Sequence, residues 1–484
     1  MQLDPAACYR AMRARDARFD GRFFVAVRTT GIYCRPICPA PLPRRENCRF
    51  VACAAAAEEA GYRPCLRCRP EASPGTPAWL GSSATVTRGL RLIEAGALDD
   101  AGVDALAEKL GVGDRHLRRL FARHLGASPH AVAATRRTHF AKQLIDQTSL
   151  PMAEIAFAAG FASVRRFNDA IRGAYGRSPR ALRRAAHGGR GANGTCLELR
   201  LAYRPPYAWD DLLAFLAARA IPGVERVERG AYRRSFRQGP AVGWLEVSPL
   251  PTAHQLRVRI HVHGALRLID LARRLRALFD LGAAPDAITA SLRDDRALSA
   301  ALRASPGVRV PGALDGFELA VRAILGQQVS VVAATRLAGR LVERFGAPLP
   351  DLGAEADDGA TPTHEFPSAD RLADADVASI GMPRVRAGAI RALARAVASG
   401  ALPLDPGVDP DAAREALVSL PGVGAWTADY VAMRALREPD AFPSSDLGLR
   451  RALGVGGAEL ARRAESWRPW RAYAAMLLWQ HGAA

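Results

Sequence analysis

The strongest constraint on the fold of this 484-residue chain is the crowding of its cysteines near the N-terminus. Six of the eight cysteines lie in GIYCRPICPAPLPRRENCRFVAC and in GYRPCLRCRPE. Cys34 and Cys38 form a C-x3-C pair, and Cys65 and Cys68 form a C-x2-C pair. Two close pairs can converge as four thiolates around one Zn²⁺ in tetrahedral geometry. We therefore expect this basic, Gly/Pro-rich segment to fold around a single zinc ion.

The expected compartment of the protein supports a metal site. The N-terminal sequence MQLDPAACYRAMRARDARFDG is charged and lacks the apolar run of a signal peptide, and the chain has no stretch of eighteen or more apolar residues. We expect a soluble, cytoplasmic protein without membrane contact, where a thiol cluster indicates a metal site rather than a disulfide framework. Cys48 and Cys53 are interpreted as ordinary buried thiols, and Cys8 and Cys196 as unpaired outliers.

The chain is strongly basic, with a formal net charge of +19 from 67 Lys and Arg and 48 Asp and Glu residues. Only Lys109 and Lys142 are lysine, and a GC-rich genome explains this preference for arginine over lysine. Such a genome does not explain the excess of basic over acidic residues. A polyanionic partner is therefore expected.

Three polar, Pro/Gly-rich segments divide the chain, near residues 70–81, 183–194 and 351–365. We interpret the first two as domain linkers and the third as an acidic loop insertion. After the second linker, CLELRLAYRPPY and QLRVRIHVHG alternate apolar and polar residues as half-buried strands do, and the rest of the pattern is mostly helical. These patterns predict a multidomain, mainly α protein with α/β parts, whose domains span 1–78, 79–188, 195–305 and 306–484.

The helical segment between the linkers contains a near duplication. VDALAEKLGVGDRHLRRLFARHLGASP is echoed by PMAEIAFAAGFASVRRFNDAIRGAYGRSP, and each copy predicts a helix, a Gly-containing turn, an Arg-rich helix and a Ser-Pro stop. The helical spacing assigns eight apolar side chains to the core: Leu106, Leu110, Leu117, Leu120, Phe121, Phe157, Phe161 and Phe167.

This duplicated helix-turn-helix resembles the AraC family of transcription factors, which implies sequence-specific binding to double-stranded operator DNA. The resemblance implies recognition helices that carry Arg115, His116, Arg118 and Arg119 in one copy and Ser163, Arg165, Arg166 and Asn168 in the other. Arg and Asn side chains suit base edges in the major groove, whereas an arginine on the far face of the helix meets only solvent or phosphate.

The cysteine-rich segment resembles the N-terminal domain of Ada-type alkylation-response proteins, through AVRTTGIYCRPICPAPLPRRENCRF and GYRPCLRCRPE. In that family a zinc-bound cysteine irreversibly takes a methyl group from a DNA phosphotriester. The resemblance implies that Cys34, Cys38, Cys65 and Cys68 hold the zinc and that Cys34 accepts the methyl group. Methylation of one thiolate would change the charge of the site from about −2 to about −1 and weaken its repulsion of DNA phosphates. A purely structural zinc site is the alternative that the residues alone leave open.

Two further motifs lie in the C-terminal half. SLPGVGAWTADYVAM contains P-G-V-G between helical stretches, which predicts a hairpin whose Gly422 and Gly424 bring backbone N–H groups close to a phosphate. In DAFPSSDLGLRRAL, Asp446 precedes a helical run, where an N-cap role is the alternative. Together the motifs resemble the helix-hairpin-helix DNA glycosylases, which implies that Asp446 is catalytic.

The resemblance extends to AlkA-type 3-methyladenine glycosylases over residues 197–480, through YRPPYAWDDLLAFLAARAIPGVE, RAILGQQVSV, IGMPRVRAGAI and WRPWRAYAAMLLWQ. It implies a small α/β subdomain, an all-α helix-hairpin-helix domain, and a base pocket lined by Phe215, Trp426, Tyr430 and Trp479. An N-alkylated purine is cationic, so it gains about 0.5 to 2 kcal/mol over aromatic faces.

Because such a base is also a good leaving group, one carboxylate is enough to stabilise the developing oxocarbenium ion or to activate water. This sequence departs from the AlkA pattern at Gln328. In the best-known AlkA enzyme this position is a leucine wedge that fills the hole left by the flipped base. A glutamine can stack and hydrogen-bond there.

Two residue types and one motif that are missing from parts of the sequence limit the reactions and cofactors to be expected. No lysine follows Lys142, so a lysine Schiff base that cleaves the strand cannot form in the C-terminal half, and a monofunctional glycosylase is expected. No cysteine follows Cys196, which excludes a four-cysteine iron-sulfur cluster there. The Ada resemblance ends near residue 190 without the Pro-Cys-His-Arg motif of a second methyltransferase domain.

The sequence thus predicts a fusion that repairs alkylated DNA by two chemistries and activates transcription of the response. Damaged and operator DNA are the expected partners, with RNA polymerase as a further one, and one Zn²⁺ is the expected cofactor. The alternative is a transcription factor with a structural zinc site and a glycosylase-like half that only binds DNA.

Overall fold

The computed structural model describes residues 3–74, 84–99, 101–187, 197–350, 361–405 and 407–481. Most of the two expected linkers, most of the acidic insertion and Cys196 lie outside these residues. No helix in the described ranges is both long and apolar enough to cross a membrane.

The N-terminal unit is a small four-stranded sheet flanked by two helices. Its strand order is β3-β1-β2-β4, in which β1 pairs antiparallel with β2 and β3, and β2 pairs in parallel with β4. The central strand β1, FVAV, is buried at all four residues. The elements are α1 (Pro5–Arg13), β1 (Phe24–Val27), β2 (Ile32–Cys34), β3 (Cys48–Val51), α2 (Ala54–Glu59) and β4 (Arg63–Pro64).

The next unit consists of two helix-turn-helix repeats around a long central helix. Gly126 and Gly176 end the Arg-rich helix of each repeat in the left-handed conformation, with φ of 73° and 65°. The Ser-Pro pairs begin the following helices, since Ser128 accepts a hydrogen bond from the Ala131 amide and Pro129 is the first helical residue. The helices are α3 (Ala84–Glu94), α4 (Val103–Lys109), α5 (Asp114–Leu125), α6 (Pro129–Gln147), α7 (Met152–Ala158), α8 (Val164–Tyr175) and α9 (Pro179–His187).

The predicted core of these repeats is confirmed for most residues, although Leu120 and Phe161 are only partly buried, and it is wrong at Phe157 in α7. Leu106, Leu117, Phe121 and Phe167 are fully buried, whereas Phe157 is 55% exposed and its assignment to the core was wrong. In this short helix the neighbouring side chains Ile155, Ala156 and Ala158 face the interior, and Phe157 lies on the opposite side.

The third unit is an antiparallel five-stranded sheet, with strand order β5-β9-β8-β7-β6, packed against helices. The two segments predicted to be strands are β5 and β9, which pair with each other through Leu199 and Val258. The elements are β5 (Leu197–Ala202), α10 (Trp209–Ala217), β6 (Glu225–Glu228), β7 (Ala231–Gln238), β8 (Ala241–Leu250), β9 (Gln255–His263), α11 (Leu268–Leu278), α12 (Pro285–Leu292) and α13 (Arg296–Ala304).

The C-terminal unit is helical in its regular elements and contains the predicted hairpin between α18 and α19. Gly422 in that hairpin has φ of 79°, and a Cβ at this position would lie 3.0 Å from the Ala389 side chain. The helices are α14 (Gly316–Leu325), α15 (Val331–Phe345), α16 (Ala369–Ala373), α17 (Arg384–Ala398), α18 (Pro410–Val418), α19 (Ala425–Arg434), α20 (Leu447–Leu453), α21 (Gly457–Ala464) and α22 (Arg471–His481).

The hydrophobic cores run across the expected linkers. One cluster joins the zinc-side sheet to α3–α6, and a second joins α6–α9 to the five-stranded sheet and the C-terminal helices. Helices α14, α15, α17 and α19 share a third cluster. Polar contacts reinforce these junctions: the Arg204 side chain is fully buried and donates a hydrogen bond to the Asp20 carbonyl oxygen at 2.9 Å. The fold class is confirmed as multidomain and mainly helical with two small sheets.

Candidate metal centre and candidate active site

The four predicted zinc ligands come together at one edge of the N-terminal sheet. Cys34 ends β2 and Cys65 follows β4, and the parallel pairing of these strands places the two residues side by side. Tight turns after each of them return the chain so that Cys38 and Cys68 reach the same point. All four sulfur atoms lie within 4.8 Å of one another.

This donor set fits a zinc ion. Zn–S bonds of about 2.3 Å in a tetrahedron put the sulfurs about 3.8 Å apart, compatible with the observed cluster. Contact between the thiols raises the pKa of Cys34, and the Cys34 contact lowers the pKa of Cys38 to about 7. Without a cation such crowded thiols share protons, whereas a dication allows all four to be thiolates.

Arg35, the residue after Cys34, contacts the Cys65–Cys68 pair. The Arg35 backbone N–H lies 3.3 Å from the Cys68 sulfur, and its guanidinium donates to the Cys68 carbonyl oxygen and to the Asp20 carboxylate. The Tyr33 hydroxyl is buried and donates to Glu58 at 2.7 Å. Of the other cysteines, Cys53 is buried as predicted, but Cys48 is partly exposed rather than buried.

Asp446 lies both at a helix end and in the wall of a cavity. It is the N-cap of α20, where Oδ1 accepts a hydrogen bond from the Leu449 amide at 2.9 Å. Its carboxylate also lines a cavity of about 1160 Å³. There the indole of Trp479 donates to Oδ1 at 3.0 Å, and the indole of Trp426 donates to Oδ2 at 2.8 Å. The helix end thus fixes the carboxylate in the cavity wall.

Three of the four predicted aromatic residues line this cavity. Trp426 and Tyr430 stack with ring centroids 5.2 Å apart, and Trp479 lies 6.2 Å from Tyr430. Phe215 is buried, and it does not line the cavity that the described residues form. The Arg219 guanidinium lies 3.7 Å above the centre of the Phe215 ring and occupies one of its faces.

The sequence analysis missed the arginines of this cavity. Arg219 and Arg434 both line it; Arg434 lies four residues after Tyr430 on one face of α19, whereas Arg219 lies in the turn just after α10. Arg434 donates to the Tyr430 hydroxyl at 2.6 Å and to the Pro311 carbonyl oxygen at 2.7 Å. Burial would raise the pKa of Tyr430, but the charges of Arg434 and Arg219 outweigh it and lower that pKa. The i,i+4 spacing from Tyr430 was a signal that could have identified Arg434.

The hairpin and the predicted wedge border the same cavity. Gln327 donates from Nε2 to the Gly422 carbonyl oxygen and to the Thr427 hydroxyl, both at 3.0 Å, and so ties the loop after α14 to the hairpin. Gln328 lies at the rim with φ of 57°, a left-handed conformation that costs about 1 to 3 kcal/mol outside glycine. Gly424 also lines the cavity.

The predicted recognition helices are α5 and α8. Arg118, Arg119, Arg165 and Arg166 are all exposed. Asn168 is half-buried and donates from its amide to the Val164 carbonyl oxygen at 2.9 Å within α8. The four arginine side chains are thus accessible to DNA, while the Asn168 amide is already engaged.

The family models that match the chain follow its order of units. They are the metal binding domain of Ada over residues 7–71, a helix-turn-helix domain over 106–185, the AlkA N-terminal domain over 198–315, and the HhH-GPD superfamily of base excision DNA repair proteins over 321–459. Together with the cysteine cluster, the first of these supports one Zn²⁺ as the cofactor.

Known relatives and a solved structure match all or part of the chain. The chain is 45% identical to the probable bifunctional transcriptional activator/DNA repair enzyme AlkA of Mycobacterium tuberculosis, over 99% of this chain and 97% of that protein. It is 37% identical to DNA-3-methyladenine glycosylase 2 of Escherichia coli, over 58% of this chain and 95% of that protein.

A 3-methyladenine DNA glycosylase from Archaeoglobus fulgidus, 22% identical, shares the fold with a TM-score of 0.51 over 58% of this chain and 98% of that one. The match to the mycobacterial protein, in contrast, runs through nearly the whole of both chains. This chain therefore belongs to the family of bifunctional transcriptional activator and DNA repair proteins that join an Ada-type zinc domain and a helix-turn-helix domain to an AlkA-type DNA glycosylase.

Proposed function

We propose that Asp446 is the catalytic carboxylate of a monofunctional glycosylase for cationic alkylated bases such as 3-methyladenine. The observation that carries this proposal is the position of Asp446, held by two indole N–H groups and a helix N-terminus in the wall of an aromatic cavity. A carboxylate fixed in this way can stabilise positive charge at the sugar without reorganising during the reaction.

The proposed reaction breaks the bond between C1′ of the sugar and the base nitrogen. The electron pair leaves with the base, whose positive charge is thereby neutralised. Asp446 stabilises the oxocarbenium ion and accepts a proton from the water that attacks C1′. The product is an abasic site in an intact strand, because no lysine follows Lys142 and none is therefore present beside the hairpin.

The damaged base must first leave the stack, which costs a few kcal/mol. In our proposal Gln328 enters the duplex at the rim, and backbone groups at Gly422 and Gly424 bind the DNA backbone. Trp426, Tyr430 and Trp479 surround the base. Phe215 supports this cavity from behind through Arg219 and Arg434, which lie 3.7 and 5.0 Å from its ring centre.

The first test of the glycosylase assignment is single-turnover release of methylated bases from duplex DNA by Asp446→Asn. We expect a loss of about 10² to 10³-fold. Unchanged release would favour the alternative, in which this half is only a DNA-binding module.

We further propose that Cys34 accepts a methyl group from a DNA methylphosphotriester. Cys34 and Cys38 are partly exposed, whereas Cys65 and Cys68 are buried, and Cys34, Cys38 and Cys65 line a cavity of about 900 Å³. A bound zinc ion would keep the sulfurs as thiolates at neutral pH. The Cys34 sulfur attacks the methyl carbon, an S–C bond forms, the C–O bond breaks, and its electron pair stays on the phosphate oxygen.

Methylation removes one negative charge from the cluster and so favours DNA binding by α5 and α8, through Arg118, Arg119, Arg165 and Arg166. RNA polymerase is the proposed partner of the activated protein. Peptide mass analysis after incubation with methylated DNA tests the transfer: we expect one added methyl group on the peptide that holds Cys34. Its absence from zinc-loaded protein would leave the cluster with a structural role only.

A further inference from the structure

The cavity beside the zinc cluster is built by two units of the chain. One wall comes from the N-terminal unit and includes the partly exposed Cys34 and Cys38. The lining also includes Tyr175 and Arg177, which end α8 and begin the loop to α9 in the helix-turn-helix unit. The site proposed to accept the methyl group is therefore bordered by the helix-turn-helix repeat.

The lining of this cavity is strongly basic. Five arginines line it, and no Asp or Glu does so in the described part of the chain. All five are exposed, and in the ranges that the structure covers none of them forms an ion pair. Arg15 donates to a neighbouring group, the Pro39 carbonyl oxygen at 3.3 Å. The five arginines are Arg13, Arg15, Arg63, Arg67 and Arg177.

Other arginines near the cluster are used differently. Arg35 is paired with Asp20, and Arg69 with Asp146, and all these side chains except that of Arg69 are buried. The chain thus neutralises the arginines that support the cluster and leaves those that face the cavity with their charge available. Unpaired arginines converging on a cleft are typical of sites that bind phosphate.

The position of Arg177 is well defined by its neighbours. Gly176 ends α8 in the left-handed conformation, and a Cβ there would lie 3.5 Å from a guanidinium nitrogen of Arg63. The preceding Tyr175 is only 5% exposed, and the Lys142 ammonium lies 5.6 Å from the centre of its ring. The α8–α9 loop is therefore packed closely against the N-terminal unit beside β4.

We infer that Arg177 forms, together with Arg63 and Arg67, a phosphate-binding wall that spans the two units and holds the strand whose methylated phosphate faces Cys34. This inference rests on the proposed role of Cys34. A methylphosphotriester is itself neutral, but the phosphates on either side of it are anionic, and the zinc tetrathiolate with a net charge of about −2 repels them. The arginine wall offsets that repulsion and positions the strand.

A direct consequence is that the helix-turn-helix unit contributes to the transfer step. A DNA strand in the cavity contacts the loop that directly follows the proposed recognition helix α8. In this arrangement the helix-turn-helix repeat takes part in damage recognition before any operator is bound.

The test compares Arg177→Ala with Arg180→Ala in the full-length, zinc-loaded protein. Arg180 is an exposed arginine three residues further on that does not line the cavity. The rate of methyl transfer to Cys34 is measured with an oligonucleotide that carries one methylphosphotriester. A second measurement uses methyl iodide, a neutral electrophile that needs no phosphate contact.

We expect Arg177→Ala to lower the rate with DNA by about tenfold, as loss of one charged phosphate contact does, and to reduce the slope of log rate against log salt by about 1. Its rate with methyl iodide and its zinc content should match the unsubstituted protein, and Arg180→Ala should match it in every assay.

Equal rates with DNA for Arg177→Ala and the unsubstituted protein would overturn the composite wall but leave the role of Cys34 intact. A parallel fall in the methyl iodide rate would also overturn it, because the substitution would then act on the cluster rather than on DNA. If the unsubstituted protein itself puts no methyl on Cys34, the proposed methyl-acceptor function fails and this inference fails with it.

Discussion

The Trp426 indole donates a hydrogen bond to one carboxylate oxygen of Asp446 at 2.8 Å, while the other oxygen accepts from Trp479 and from a backbone amide. Both oxygens are therefore acceptors. An asparagine side chain at this position would turn an amide N–H₂ toward an indole N–H or toward the α20 amide, so Asp446→Asn changes hydrogen bonding as well as charge.

A double substitution separates these two effects. We expect Asp446→Asn to lose about 10² to 10³-fold in single-turnover base release, and Trp426→Phe with Asp446→Asn to recover little of it, because the charge is still missing. Trp426→Phe alone is the matched control. Base release by the double variant close to that of Trp426→Phe would mean that the single Asp446→Asn variant fails because two N–H donors face each other. The carboxylate charge would then not be needed.

The backbone at Gln328 provides a prediction about the wedge. Gln328→Gly removes the strain of a left-handed residue, so the variant should be as stable as the parent or more stable by about 1 kcal/mol. The substitution also removes the side chain proposed to fill the gap that the flipped base leaves in the duplex. We expect release of a methylated base to fall about tenfold on duplex DNA and much less on single-stranded DNA, where no stacked partner must be replaced. An equal loss on both substrates would contradict the wedge assignment.

Zinc removal should affect the two halves of the chain unequally. The zinc-side sheet shares a hydrophobic cluster with α3–α6, whereas α14, α15, α17 and α19 pack in a separate one. Chelation is therefore expected to lower the temperature of the first unfolding transition and to abolish operator binding, with base release retained. Cys48→Ser, which alters a cysteine outside the cluster, should keep its zinc and its operator binding. Loss of base release together with zinc would show that the halves do not fold independently.

The junction between α2 and α6 is expected to depend on pH. Burial would lower the pKa of His139, but its hydrogen bond to Glu58 at 3.1 Å outweighs burial and raises that pKa. The stabilisation is therefore fully present below the unfolded-state pKa of about 6.5 and is lost as the pH rises through the higher folded-state value. The difference in unfolding temperature between the parent and His139→Gln should shrink as the pH rises above about 6.5. A difference that is constant or grows with pH would exclude the charged pair.

The absence of lysine after Lys142 gives a further prediction. Treatment of a reaction mixture with borohydride should trap no covalent protein–DNA product, and the abasic strand should stay intact until it is heated in alkali. A trapped adduct on the C-terminal half would contradict a monofunctional mechanism.

Some features of both sites could be predicted because they depend on short spacings along the chain. C-x3-C and C-x2-C each place two sulfurs at one turn, and the cluster of four is found as predicted. The alternation of apolar and polar residues in β5 and β9 indicates that each strand has one buried face, and the two strands pair with each other. Asp446 directly precedes a helix, so its N-cap geometry is local as well.

Other features could not be predicted because they depend on which distant segments pack together. The helical pattern of α7 includes Phe157 among its apolar residues, yet no neighbouring unit in the described ranges covers that face and the ring is exposed. Arg219 stacks on Phe215 rather than leaving it open to the cavity. Arg177 lies more than a hundred residues from Cys34 in sequence and lines the same cavity.

Ligand spacing, strand alternation and helix ends thus depend on residues at most a few positions apart. These local features established the order of the units, the zinc ligands and the location of Asp446. The shared hydrophobic cores and the arginine lining of both cavities arise from the packing of helix and sheet faces that are far apart in the chain. That packing is set by the shape and burial of whole surfaces, which no local sequence pattern predicts.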